Sequence, residues 1–95
     1  NSKSAELAKA FIDKNYNIHV YDPIVNSNEV NKNFGIKLSK LLGRYDVIII
    51  AVPHKFLSNK SIDLLKYIKK STKIFDISGK YRKMFSSKTI KYWSL

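Results

Sequence analysis

The sequence has 95 residues, 44% hydrophobic and 26% charged, as expected of one small globular domain. It contains no cysteine, which excludes disulfides, thiolate metal sites and a thiol nucleophile. Its formal net charge of +11 is most simply a solvated basic surface, with attraction of nucleic acid or of a small anionic ligand as alternatives. The longest apolar run, Val47–Pro53, is too short to cross a bilayer, and no cleavable signal peptide is visible. We therefore expect a cytoplasmic protein with no membrane partner.

The first predicted element is a helix, because the apolar residues of the segment Ala5–Ile12 recur three and four positions apart. Asn15 is expected to end it. A short strand over 18–21 follows, and then a polar loop rich in asparagine. A short helix is predicted around 38–42, with Gly43 as its C-terminal stop.

Residues 46–52 form the strongest predicted strand, whose nearly continuous apolar run is typical of strands covered on both faces. A second helix is predicted over 61–70 and a last strand over 73–77. The alternation of helices and strands predicts an α/β fold, a Rossmann-like three-layer domain with a mostly parallel sheet. We interpret the chain as one domain, 1–95, with a core over 1–79 and a basic, aromatic tail over 80–95.

Candidate ligand-binding residues follow two predicted strands, at the carboxyl edge where open α/β sheets bind ligands. Ser78, Gly79 and Lys80 follow the last strand, where exposed backbone amides and a lysine suit a phosphate or a base carbonyl. A plain turn into the tail explains them equally well. His54 follows the strongest strand and could serve as acid, base or phosphate contact, although a lone histidine there is more often structural.

Other candidate chemistry is weaker. Asp22 ends a strand where a Rossmann domain places a ribose-binding acid, but no glycine-rich loop precedes it, so a turn before proline is the better interpretation. Two histidines without cysteine or a close acid do not make a metal site. No G-x-S-x-G elbow or Ser-His-Asp set is present. We predict no catalytic residue, no metal ligand and no residue that binds a cofactor in this chain.

The basic charge concentrates late in the chain. Nine basic residues and one acid lie between Lys66 and Lys91, with aromatic residues among them. Such a region could hold a phosphate backbone and stack bases. However, only Arg44 and Arg82 could make bidentate contacts, which favours a solvated surface over a nucleic-acid site. A stand-alone basic α/β module that binds nucleic acid or another polyanion stays the alternative, and a purely structural domain that mediates assembly is the third.

Several segments, taken in order, resemble the UDP-glucose/GDP-mannose dehydrogenase family. Residues 21–23 (YDP) and 34–38 (FGIKL) resemble its "VYDP … YGIKL" stretch, and residues 46–55 resemble "DAIVIAVAHK". Residues 75–80 (FDISGK) resemble "YDVKGxL", and residues 92–95 its closing segment. The set spans nearly the whole chain. The branch that it most resembles is that of the bacterial UDP-N-acetylhexosamine 6-dehydrogenases of capsule, Vi-type and O-antigen synthesis.

The resemblance implies a three-part enzyme that oxidises the C6 alcohol of the sugar to a carboxylate. Its N-terminal domain binds NAD, its central region carries the catalytic cysteine and lysine and supports a homodimer, and its C-terminal domain closes over UDP. This chain is similar to the C-terminal domain. The implied partners are therefore a UDP-N-acetylhexosamine and the N-terminal domains of the same enzyme, while nucleic acid is not expected.

Two departures from the family pattern matter. The family carries a cation that meets the substrate where this chain has Ser78, and Lys80 or Arg82 could replace it from nearby. The strand that opens the family's C-terminal domain would precede Asn1. We therefore expect a sheet that lacks its first strand and a chain that is a fragment of a longer enzyme.

Overall fold

The computed structural model describes residues 2–22, 35–51, 64–86 and 89–94. In chain order its elements are helix α1 (Ser2–Asp13), strand β1 (Tyr45–Ile50), a 3-10 helix (Leu64–Tyr67), strand β2 (Ile68–Asp76) and strand β3 (Lys91–Ser94). They belong to two units, Asn1–Leu41 and Leu42–Leu95, which are described separately.

Helix α1 of the first unit confirms the first predicted element. Asn15 follows it with a left-handed backbone, φ 64°, which asparagine tolerates better than most residues. The Asn15 amide donates to the Ile12 carbonyl at 2.9 Å, and the Tyr16 amide donates to the Phe11 carbonyl at 3.2 Å. The Phe11 and Tyr16 rings meet edge to face, with centroids 5.6 Å apart. These two hydrogen bonds and the apolar contact form a Schellman motif, which ends the helix where the sequence predicts.

The rest of the first unit departs from two predictions. Of the predicted strand over 18–21, only Val20 pairs, in an isolated parallel bridge with Leu38. The Ser39 amide donates to the Val20 carbonyl at 2.8 Å. The predicted helix around 38–42 is wrong, because none of the described residues 35–42 is helical. The apolar segment there is too short to offset the cost of starting a helix. Gly43, at φ 72°, still turns the chain ahead of β1.

The second unit contains an open sheet of three parallel strands in the order β1-β2-β3. Strand β1 confirms the strongest predicted strand over its described residues. Strand β3 lies in the segment interpreted from the sequence as a tail. Three parallel strands in an open sheet, together with a helix, are consistent with a partial Rossmann-like α/β domain and confirm the predicted fold class.

Strand β2 begins earlier than predicted. The sequence predicts a helix over 61–70; residues 61–63 lie outside the described residues, and Leu64–Tyr67 form a single 3-10 turn. Residues 68–70 belong to β2, so the helix prediction is wrong there. Thr72 gives the physical reason: its hydroxyl accepts from the Lys69 amide at 2.8 Å and donates to the Tyr45 carbonyl at 2.6 Å. These bonds hold the chain extended beside β1, where the register of the two strands shifts.

One face of the sheet carries the core of the second unit. Both connections between strands contribute to it: the buried cluster comprises Ile50, Leu64, Ile74, Tyr81 and Phe85. The opposite face is more open, with Val47 46%, Phe75 39% and Trp93 48% exposed, so coverage of both faces is not seen in the described part of this unit. No helix in the described ranges is long and apolar enough to cross a membrane.

Candidate functional site

Asp76, the last residue of β2, organises the carboxyl edge of the sheet. It is 1% exposed, and its carboxylate accepts four hydrogen bonds. The donors are the Ser78 hydroxyl at 2.5 Å, the Gly79 amide at 3.1 Å, the Tyr81 amide at 3.0 Å and the Tyr92 hydroxyl at 2.5 Å. A buried carboxylate needs such partners because burial without them is costly. Asp76 therefore fixes the turn that follows β2 and joins it to β3.

The pKa values of this cluster reflect the same geometry. Burial raises the pKa of Asp76, but the hydrogen bonds from Ser78, Tyr92 and the two amides outweigh it, so the pKa lies below its ordinary value of 3.8. For Tyr92, burial and then the hydrogen bond to the Asp76 carboxylate raise the pKa to about 12. Near neutral pH, Asp76 is therefore an acceptor and Tyr92 a donor.

Backbone amides in and directly after the turn over residues 77–80 already have hydrogen-bond partners. Gly79 adopts φ 68°, and its amide lies 3.2 Å from the Asp76 carbonyl as well as near the Asp76 carboxylate. The Lys80 amide donates to the Ser78 hydroxyl at 3.2 Å. The expectation that amides here are available to a ligand is therefore corrected: the amides of Gly79 and Tyr81 donate to the Asp76 carboxylate, and the amide of Lys80 donates to the Ser78 hydroxyl.

The cationic side chains of the turn remain at the surface. Lys80 is exposed, and in the described part of the chain its ammonium meets no acid. Arg82 is also exposed, and its Nε donates to the Ser94 hydroxyl of β3 at 2.9 Å. Ser78 is half-buried and turned towards Asp76. Lys80 and Arg82 can thus hold an anion electrostatically.

The structure brings four of the five predicted site residues together, namely Ser78, Gly79, Lys80 and Arg82. The fifth, His54, lies outside the described residues. Within the described ranges, no group of three His, Cys, Asp or Glu side chains could hold a metal ion.

Sequence reasoning missed Asp76 and Tyr92 as parts of this site. Asp76 carries one local signal, a single acid at the end of a strand and directly before a Ser-Gly turn. Tyr92 carries none, because its partner is sixteen residues away and pairing depends on β3 lying beside β2.

An open parallel sheet with a cationic turn at its carboxyl edge places the chain in the class of Rossmann-like α/β domains. Residues 1–83 match the family model described as "UDP-glucose/GDP-mannose dehydrogenase family, UDP binding domain". The chain belongs to this family and corresponds to its UDP-binding domain.

Comparison with individual proteins gives a consistent result. The chain is 34% identical over 82 residues to Protein CapL from Staphylococcus aureus, an alignment that covers 83% of this chain. It spans only 19% of CapL. No solved structure matches this one.

Proposed function

We propose that this chain is the UDP-binding part of an NAD-dependent UDP-N-acetylglucosamine or UDP-N-acetylgalactosamine 6-dehydrogenase. Such an enzyme oxidises the C6 alcohol of the sugar to a uronic acid for surface polysaccharide synthesis. The family match over residues 1–83 carries the proposal, and the relation to CapL supports it. The longer enzyme would be a cytoplasmic homodimer in which this domain contacts the N-terminal domains.

The role of the chain in this proposal is to bind and orient the nucleotide. Lys80 is the principal candidate for the diphosphate, since its ammonium is exposed on the turn at the carboxyl edge. Arg82 stands two residues further on and is steadied by Ser94. Ser78 and Gly79 shape the turn, and His54 is a further candidate from the end of the strongest strand. Holding the substrate in a fixed position contributes to rate without chemistry by this domain.

The chain itself does not fit NAD. Its three glycines, Gly35, Gly43 and Gly79, are too far apart for a G-x-G-x-x-G loop. The sequence therefore has no dinucleotide-binding motif of that kind. We therefore assign the cofactor to another domain of the longer enzyme. The sequence has no cysteine, so a catalytic thiolate would also come from outside this chain.

Calorimetric titration of the 95-residue chain with UDP tests the proposal. We expect saturable binding that Lys80→Gln weakens roughly tenfold, because a charge-assisted contact to phosphate is lost. Lys83→Gln is the matched control: it removes the same charge from an exposed position nearby and should change the affinity less than about twofold.

A competition experiment separates this function from the alternatives. Duplex DNA should not displace UDP. Binding to any duplex, with an affinity that falls steeply as salt rises, would instead support a stand-alone basic module for polyanions. A chain that binds neither ligand would support a structural role in assembly.

A further inference from the structure

A second cationic surface lies at the opposite, amino-terminal edge of the sheet. A groove of about 370 Å³ opens there, beside the first residues of β2 and β3. Its volume is near the lower end of the range of about 300–1,000 Å³ for small-molecule sites. The residues that define this amino-edge groove are the cations Arg44, Lys69 and Lys70 and the apolar residues Leu65, Ile68 and Ile90.

The amino-edge groove has an excess of positive charge. Lys69 forms an ion pair with Asp46, whose side chain is 85% exposed. In the described part of the chain, neither Arg44 nor Lys70 meets a carboxylate. Counting only residues that the structure describes, three cations and one acid leave an excess of two positive charges at the rim of the groove.

Arg44 is held in place at this rim. Its Nη1 donates to the Ile68 carbonyl at 3.0 Å, a bond that joins the residue before β1 to the first residue of β2. This bond uses one of the five N–H donors of the guanidinium. The remaining donors can meet an oxyanion in a bidentate contact, and the anchored side chain loses less rotamer freedom on binding.

The apolar side chains determine what kind of anion fits. Leu65 is 60% exposed, and Ile68 and Ile90 are half-buried. Exposed apolar surface inside a concave site favours a ligand with an apolar body, because covering it removes that surface from water. Two uncompensated cations match a phosphate monoester, which carries about 1.5 to 2 negative charges at neutral pH.

We propose that the amino-edge groove binds a small organic phosphate monoester, with the phosphate on Arg44 and Lys70 and the organic group over Leu65. This site is distinct from the turn after Asp76. Strand β2, with nine residues, separates the two edges by roughly 25 Å. One small ligand therefore cannot occupy both sites, and the inference does not rest on the proposed function.

NMR titration of the ¹⁵N-labelled 95-residue chain with phenyl phosphate tests the site. We expect saturable shifts of the amide signals of Arg44, Lys69 and Lys70 at phenyl phosphate concentrations that leave the signals of Gly79 and Lys80 in place. The double variant Arg44→Gln/Lys70→Gln should weaken binding at least about fivefold. The control is the double variant Lys14→Gln/Lys83→Gln, which also removes two positive charges from exposed positions. It should weaken the binding of phenyl phosphate less than about twofold.

Two further arms test the chemistry of the ligand. Inorganic phosphate, which lacks the apolar group, and benzoate, which carries a single charge, should each bind at least about fivefold more weakly than phenyl phosphate. Leu65→Ser should reduce phenyl phosphate to the affinity of inorganic phosphate. Equal affinities for the three anions, shifts spread over all lysines, or equal weakening by the two double variants would overturn the proposal.

Discussion

At the scale of single residues, Asp76 is constrained by four hydrogen bonds to its carboxylate. Its carboxylate is buried at the end of β2 and balanced by two hydroxyls and two amides instead of a cation. Hydrogen bonds to a charged acceptor are stronger than those between neutral groups, and each unsatisfied partner would bear the cost of desolvation. The turn that carries Lys80 therefore depends on the charge of a residue that itself does not reach the surface.

We predict that Asp76→Asn lowers the free energy of unfolding by about 3 kcal/mol, because the amide of asparagine removes the charge and places a donor against donors. Urea denaturation at pH 7 measures the loss. Asp46→Asn, the same substitution at a residue whose side chain is 85% exposed, is the control and should cost under about 1 kcal/mol. Equal losses for the two variants would contradict the assigned role of Asp76.

The pH dependence of this difference follows from the lowered pKa of Asp76. A carboxylate whose pKa is lowered on folding stabilises the folded chain above its unfolded-state pKa of 3.8. That contribution is lost as the pH falls through the lower, folded-state pKa. The gap in stability between the natural chain and Asp76→Asn should thus be full at pH 7 and narrow below pH 3.8. A gap that stays constant to pH 2 would exclude the ionised carboxylate as its cause.

At the scale of elements, Thr72 joins the first two strands. Its side chain is 1% exposed, and its hydroxyl links the Lys69 amide to the Tyr45 carbonyl at the point where the register shifts. At this point β2 has more residues than β1, because more residues separate Ile68 from Lys73 than separate Tyr45 from Val47. Extra residues in a paired strand leave backbone groups without ladder partners, and the threonine hydroxyl satisfies two of them.

Thr72→Val is expected to lower the free energy of unfolding by about 1–2 kcal/mol, because valine keeps the shape but leaves an amide and a carbonyl unsatisfied. Thr72→Ser is the informative companion, since it keeps the hydroxyl and loses only a methyl group. It should retain more stability than valine in thermal unfolding. If serine were the more damaging of the two, packing by the methyl group would outweigh the hydrogen bonds.

The elements differ in how well the sequence predicts them, for identifiable reasons. Helix α1 and strand β1 follow from apolar periodicity and an unbroken apolar run, which are local signals. The start of β2 does not, because Leu64, Leu65 and Ile68 are also spaced as on a helix. Strand β3 is short and rich in lysine and aromatic residues, so its identity depends on pairing with β2. Cross-strand partners outside the local window decide both cases.

At the scale of the whole molecule, the candidate ligand-binding positions are more predictable than the interactions that support them. The rule that parallel sheets bind ligands at their carboxyl edge predicts Ser78, Gly79 and Lys80 as candidates from sequence alone, whereas Arg82 is a candidate only through the family resemblance. It does not show that the amides of the turn are already engaged by Asp76. Nor does it indicate Arg44, because the amino-edge groove is formed by residues from three separate segments.

The net charge of +11 gives a last prediction for the whole molecule. With 18 basic and 7 acidic residues, the folded chain brings like charges closer than the unfolded chain does, which lowers its stability at low ionic strength. Raising KCl from about 20 mM to about 300 mM shortens the screening length severalfold and should raise the free energy of unfolding by roughly 1 kcal/mol. Urea denaturation at both salt concentrations measures this.

The double variant Lys14→Gln/Lys83→Gln provides the comparison for the salt effect. It lowers the net charge from +11 to +9 at two exposed positions, so like charges repel less in the folded chain. Its stability should be higher than that of the natural chain at low salt and should rise less as KCl is added. Chloride suits this measurement because phosphate would also bind at the amino-edge groove. A salt response identical in the two chains would show that general charge repulsion is not the cause of the salt effect and that binding of specific ions is.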